Sequence, residues 1–412
     1  MFILHKQRLI LVGIAFLSLG TQLNGQVPTS RAAEIRQRRI DKQARLWPEH
    51  TSGIVRRLNK LEETGLFEGA QSGEGKNGYQ FVLGGMRSGN GTTFGVGYRR
   101  VDLWEERIGL HTTARGTFQG AYMFDLDVNF HRLNTQRGEM RVYAKYEYSP
   151  LMDFYGEGPN SQKGDRSSYR LDDTGIDLMG RYRIWKKLYA GGSGGLYFPS
   201  TGPGKRSGYP TVEEEFPPTE TPGIGEQLNM VRVSATLQYD YRDLATGPRR
   251  GGNYYGIFTR YWDQSLGLYT FNRLAAAVEQ YIPYANMTRV IALRLGAIAT
   301  WTQDGQTVPF YLQPTLGGNE YLRGFASYRF TDQNSILAIA EHRWHLFSGG
   351  YAAAFFEMGK VASKGTQLNF GNSQYSGGIG FNFTLRNAVI MRIDNAVSHE
   401  GYRFIWTFSK AW

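Results

Sequence analysis

Val231-Arg232-Val233-Ser234-Ala235-Thr236-Leu237-Gln238-Tyr239-Asp240-Tyr241 places an apolar or aromatic side chain at every odd position and a polar or charged one at every even position. A period of two is the signature of a β-strand, in which successive side chains point to opposite faces. The same pattern recurs at Phe118–Phe130, where Phe118, Gly120, Tyr122, Phe124, Leu126, Val128 and Phe130 alternate with Gln119, Ala121, Met123, Asp125, Asp127 and Asn129. It returns at Met140–Tyr148 and again near the C-terminus, where Tyr402, Phe404, Trp406 and Phe408 face away from Arg403, Ile405, Thr407 and Ser409. A soluble sandwich also alternates, so the polar face decides. Here it carries Asp, Arg, Glu and Lys in mid-strand, while the apolar face is rich in Tyr, Phe and Trp. Many of these segments also exceed the usual ~5–6 residues of soluble strands. Apolar outside and polar inside is the pattern of a transmembrane barrel.

Working outward, sixteen such segments are predicted: 78–86, 92–101, 107–115, 118–130, 139–148, 169–184, 187–198, 228–242, 253–263, 270–282, 288–301, 335–346, 351–360, 375–385, 388–396 and 402–410. An even count suits a single-chain barrel whose strands run alternately up and down. The expected fold is all-β, a transmembrane antiparallel barrel of sixteen strands. With the N-terminus on the periplasmic side, odd-numbered connections should be long and external. Residues 149–168, 199–227, 302–334 and 361–374 fit, and the intervening 283–286, 347–350 and 386–387 are short turns. The first four strands depart from the rule, since 87–91 and 116–117 are short.

Composition agrees. The 412 residues carry a net charge of +11, 14% aromatics, 52 glycines and no cysteine. With mean hydropathy of −0.43 and no apolar run near ~20 residues beyond the N-terminus, a helical membrane bundle is excluded. The absence of cysteine excludes a disulfide scaffold and a thiolate metal site. So many aromatic residues argue against general disorder.

Residues 1–25 read as a signal peptide: Lys6 and Arg8 precede the apolar Leu9–Leu17, and Leu23-Asn24-Gly25 offers a cleavage site. The expected destination is the bacterial outer membrane. Residues 26–77 read as a short basic periplasmic segment, partly helical or disordered. Within 31–60, nine basic residues oppose three acidic ones, a net +6. Ala32–Leu46 has helical composition, ended by Pro48. Export makes a nucleic-acid partner improper for this charge. Anionic headgroups of outer-membrane lipid or an acidic lumen are the remaining readings.

The longest predicted connection contains Leu316-Gly317-Gly318-Asn319-Glu320-Tyr321-Leu322-Arg323-Gly324-Phe325. Glycines around a single arginine allow a tight turn that presents one guanidinium. Inside a lumen it needs acceptors, and the next two strands offer Glu341 and Glu357. On the residues alone, an exposed loop with a surface arginine remains equally open.

These motifs resemble the BamA/TamA-like outer-membrane barrels, the bacterial surface antigen family. Leu322-Arg323-Gly324-Phe325 resembles the family's "(V/L)RG(F/Y)" element in its sixth external loop. Phe355-x-Glu357-x-Gly359 resembles its "FxDxG" strand motif, with Glu for Asp. Tyr239-Asp240-Tyr241-Arg242-Asp243 with Pro248–Gly252, Phe154–Asn160 and Gly377–Phe381 are similar to further family elements, and Phe404–Trp412 to a C-terminal β-signal carried here by Phe404, Trp406, Phe408 and Trp412. The resemblance covers 78–412. It implies a sixth loop folded into the lumen, with Arg323 paired to Glu357 and Glu341, and a role in outer-membrane assembly or in transport of protein or lipid. It differs in one respect: residues 26–77 are too few for a POTRA domain and lack its βααββ pattern, so a member without POTRA domains is expected.

Two other readings stand beside this one: a passive porin-like channel, and a barrel subunit working with a separate periplasmic protein. Catalysis is not expected. No Ser sits in a nucleophile elbow, and of the 7 histidines His342 and His345 fall on opposite strand faces. No catalytic residue, metal or cofactor is assigned.

Overall fold

The computed structural model describes residues 77–133, 137–245, 247–347, 349–385 and 388–408. The signal peptide, nearly all of the basic segment and Trp412 of the β-signal lie outside the described residues.

Each of the sixteen alternating segments contributes a strand to a single sheet. In chain order they are β1 (Gly78–Leu83), β2 (Thr93–Leu103), β3 (Ile108–Thr117), β4 (Tyr122–Leu133), β5 (Gly138–Phe154), β6 (Ser167–Trp185), β7 (Leu188–Pro203), β8 (Met230–Asp240), β9 (Gly251–Asp263), β10 (Phe271–Tyr284) and β11 (Arg289–Thr302). A two-stranded ribbon, β12 (Thr315–Leu316) and β13 (Phe330–Thr331), interrupts the series inside the sixth long loop. The sheet resumes with β14 (Asn334–Phe347), β15 (Gly350–Ala362), β16 (Gln374–Leu385), β17 (Ala388–Ser398) and β18 (Gly401–Thr407), and β11 pairs directly with β14. Every neighbouring pair is antiparallel. Among the described residues no hydrogen-bonded pairing joins β18 to β1. Just past their ends the chain segments come close, because a side chain at Gly84 would run into the backbone carbonyl of Phe408.

One expected strand start moves. The alternation from Phe118 predicted a strand at once, but Thr117–Ala121 forms the turn between β3 and β4. The backbone N–H of Thr117 donates to the carbonyl of Ala121, Gly120 takes φ +84°, and Phe118 stands 91% exposed at the tip. A left-handed glycine is the preferred residue at such a reversal, and it overrides the apolar spacing.

The faces sort by chemistry. On β18, Tyr402, Phe404 and Trp406 are 62%, 61% and 60% exposed, and Phe124, Leu126, Ile176, Leu178, Val233 and Leu237 are exposed in the same manner on β4, β6 and β8. A contiguous apolar exterior of this extent belongs against lipid rather than water. The inward side is charged, and its charges pair across strands: Arg115 with Asp125 at 3.0 Å, Arg141 with Asp127 at 2.6 Å, Arg294 with Glu279 at 3.1 Å, and Arg232 with Asp177. At the long-loop end the connections fold together. Phe154, Tyr169, Val212, Leu228, Phe271, Phe310 and Tyr311 pack into one buried apolar cluster drawn from several loops and strand ends.

Candidate functional site in the lumen

Local backbone chemistry brings loop six inward. Gly317 and Gly318 take φ +104° and +123°, and a Cβ on Gly317 would collide with the carbonyl of Ala326. Leu322 holds φ +48°, a left-handed conformation that disfavours a branched side chain and marks a forced turn. Its compensation is burial. Leu322 and Phe325 are fully buried with Leu316, Phe330, Leu337, Ile339 and Val361. Phe325 meets Phe330 edge-on at 5.1 Å and His399 at 5.3 Å. At Gly324 an added methyl would stand 2.7–2.9 Å from the Val397 carbonyl, Ser376 and Ser398, so only glycine passes there.

That turn carries Arg323 into a cluster of six buried charges. Its Nε donates to Glu357 Oε1 at 2.8 Å, its backbone N–H to Glu357 Oε2 at 2.6 Å, Nη1 to Asp394 Oδ2 at 3.2 Å and Nη2 to Glu341 Oε2 at 3.3 Å. The Phe355 ring lies beneath the guanidinium, 3.3 Å from centroid to Cζ. Arg343 Nε reaches Glu341 at 2.7 Å and Arg392 Nε reaches Asp394 at 2.9 Å. Three arginines thus meet three carboxylates, none more than 4% exposed. Charges so far from water persist only when balanced and hydrogen-bonded.

The grip is reciprocal. Arg403 of β18 donates to the loop carbonyls of Gly318 at 3.3 Å, Arg323 at 3.0 Å and Phe325. Arg392 donates to the carbonyl of Asn319, and Ser398 Oγ to that of Gly324 at 2.9 Å. The barrel wall makes room for this with glycines: a Cβ at Gly378 would strike the Phe355 ring, and one at Gly380 the Asp394 carboxylate.

Glu341, Phe355 and Glu357 therefore surround Arg323, while Gly359 serves packing, with Leu316 and Ile336 against the space its Cβ would fill. Sequence reasoning missed Asp394, Arg343, Arg392 and Arg403. Charged residues two apart on one strand, as in Glu341-x-Arg343 and Arg392-x-Asp394, share a face and were the available signal. The Phe154–Asn160 segment docks on the same loop, with the Gly158 N–H donating to the Thr331 carbonyl at 2.8 Å. Arg329 extends the tie, with Nε on Glu400 at 2.7 Å and Nη1 on Ser161 at 2.9 Å. In the Tyr239–Gly252 motif, Asp243 Oδ1 accepts three backbone N–H groups, from Leu244, Arg249 and Arg250, and so shapes the turn.

A second loop arginine reaches the wall in the other half of the sheet. Arg87, from the β1–β2 loop, donates its backbone N–H to Glu147 Oε1 at 2.9 Å and its guanidinium to Asp173, and Lys145 Nζ lies 2.5 Å from the same Asp173 oxygen. At the rim, burial raises the carboxyl pKa of Asp332 above the usual range, and the exposed Glu157 accepts from Gln313. Among the described residues, no group of three or more His, Asp or Glu is arranged to hold a metal ion.

No protein-family model matches the chain, and no curated protein matches it. Among solved structures, it is similar to BamA from Haemophilus ducreyi lacking POTRA domains 1–3, with TM-score 0.59, 15% identity, and 87% of this chain and 78% of that one covered. It is also similar to CdiB from Escherichia coli, with TM-score 0.53 and 12% identity over 80% of this chain; it spans only 61% of the CdiB chain. At these identities the likeness is one of fold.

Proposed function

The fold being that of a BamA-type outer-membrane barrel, we propose that the chain is an integral outer-membrane protein acting in assembly or transport of protein or lipid, not a freely conducting pore. The observation that carries this reading is the anchoring of loop six: Arg323 and its five charged neighbours hold an external loop across the interior wall of β14–β18. A loop so anchored partly closes the lumen, which weighs against a freely conducting pore. The exposed apolar exterior supports placement in a membrane, and the signal peptide read from residues 1–25 supports the outer one. A barrel subunit working with a separate periplasmic protein stands as the alternative reading.

Conductance in planar bilayers tests the choice between classes. Small or fluctuating currents are expected, and large steady channels would favour the porin-like alternative. Paired charges such as Arg141–Asp127 and Arg181–Glu139, on the inward face and partly exposed, are what that alternative rests on. Cross-linking in intact membranes followed by purification addresses the partner, and recovery of the barrel alone would weigh against one.

A further inference from the structure

The β6–β7 hairpin closes at the short-turn end, and its charge is one-sided. Arg181, Arg183, Lys186 and Lys187 fall within seven residues. Arg181 meets Glu139 at 2.7 Å, but among the described residues Arg183, Lys186 and Lys187 have no carboxylate within ion-pair distance. Arg181 and Arg183 share the inward parity, leaving Lys186 and Lys187 exposed at the tip. There the Lys186 ammonium sits 5.2 Å over the ring of Trp185, which is itself 63% exposed.

Beside this tip the outer face of the sheet is hollowed. Pairing aligns Gly138, Tyr182, Ala190 and Leu237 in one cross-strand row, and Met140, Gly180, Gly192 and Ala235 in the next. These share the outward parity of the exposed Ile176 and Leu178. Gly138, Met140, Gly180, Tyr182 and Ala190 line a shallow, open cleft of about 510 Å³, completed by Gly191 and by Glu139 and Arg181, which pair with each other. A Cβ added at Gly180 would find no atom within 4 Å.

We propose that this cleft and the hairpin tip together bind an anionic phospholipid of the leaflet at the short-turn end. An apolar hollow on a lipid-facing sheet accepts one acyl chain. Four residues separate Tyr182 from Lys186, about 13 Å along an extended strand, which lies within the length of one phospholipid. Lys186 and Lys187 then meet the headgroup phosphate, with Trp185 at the boundary between hydrocarbon and water. Charge selects the occupant. An anionic headgroup is attracted by the surplus of cations, whereas a zwitterionic one brings its own cation.

The test uses the full refolded chain and native mass spectrometry with phosphatidylglycerol and phosphatidylcholine of equal chain length. Wild type is expected to retain one phosphatidylglycerol in roughly thirtyfold preference, at about the strength of two near-surface lysines. The double variant Lys186→Glu/Lys187→Glu loses the preference, Lys186→Gln/Lys187→Gln loses part of it, and Gly180→Leu loses retention of both lipids. Heat-modifiable gel mobility confirms that each variant is folded, and separate incorporation into nanodiscs reports on the membrane placement itself. Equal retention of the two lipids by wild type overturns the proposal. So does a preference that survives charge reversal, or retention unaffected by Gly180→Leu.

Discussion

Arg323 and Arg87 solve the same problem in opposite halves of the sheet, and they solve it differently. Both leave a glycine-flanked loop to reach carboxylates on inward strand faces, and both use the backbone N–H as well as the guanidinium. Arg323 is 1% exposed, stacked on Phe355 and enclosed by five other buried charges. Arg87 is 30% exposed, and Lys145 already occupies the Asp173 oxygen that it uses. Remove Arg323 and three carboxylates share two arginines away from water. Remove Arg87 and a lysine, itself 21% exposed, stays with the buried carboxylates of Glu147 and Asp173. The first is a fixed clamp and the second an exchangeable contact. The arginine's own exposure and the lysine beside it decide, because a partly wet cation with a second cation at hand is replaceable and a dry one is not.

The largest effect should follow Arg323→Ala. Breaking a buried ion cluster from one side costs about 3–5 kcal/mol, so residues 303–333 should become sensitive to protease in the folded barrel. The temperature at which heat-modified mobility appears should fall. Unchanged proteolysis and mobility would place the two arginines in one class. Arg87→Ala should cost less, because the backbone N–H stays on Glu147 and Lys145 stays on Asp173, with its effect shrinking as salt is raised from about 0.05 to 0.5 M. Salt should leave the Arg323→Ala deficit nearly unchanged, since a desolvated cluster is poorly screened. Double-mutant cycles sharpen the contrast: the Arg323–Glu357 coupling should exceed the Arg87–Asp173 coupling several-fold.

The smallest effect concerns pH at the rim. Burial raises the carboxyl pKa of Asp332, so the folded rim binds more protons than the opened one just above the usual carboxylate range. Stability of the contact between the Phe154–Asn160 segment and loop six should therefore increase as pH falls through that range and decline as it rises. Protease cleavage near Gly158 between pH 4 and 7 measures this. Faster cleavage at the acid end would reverse the sign.

Strand positions were legible because a one-residue slip would turn every charged side chain to the lipid face, leaving the alternation no freedom. The exception at 118–121 came from a glycine turn hidden under apolar spacing. Within the site, Arg323, Glu341 and Glu357 were legible from the glycine-flanked loop and the two strands after it. Asp394 and Arg403 were not, because β17 and β18 meet the loop only once it has folded across the inner faces of β14–β18. Arg87 escaped notice for a different reason. The β1–β2 loop is short, and length had marked only the long loops as functional.

The central claim is that loop six lies locked against the interior wall, and the chain's lack of cysteine makes it directly measurable. A single Phe325→Cys substitution, probed with a membrane-impermeant thiol reagent, should stay unlabelled in the folded barrel, since Phe325 is 0% exposed. Phe118→Cys, at the tip of the β3–β4 turn, should label fully over the same time, and adding Arg323→Ala to Phe325→Cys should restore labelling. Phe325→Cys labelling as fast as Phe118→Cys in the folded protein would contradict a locked loop.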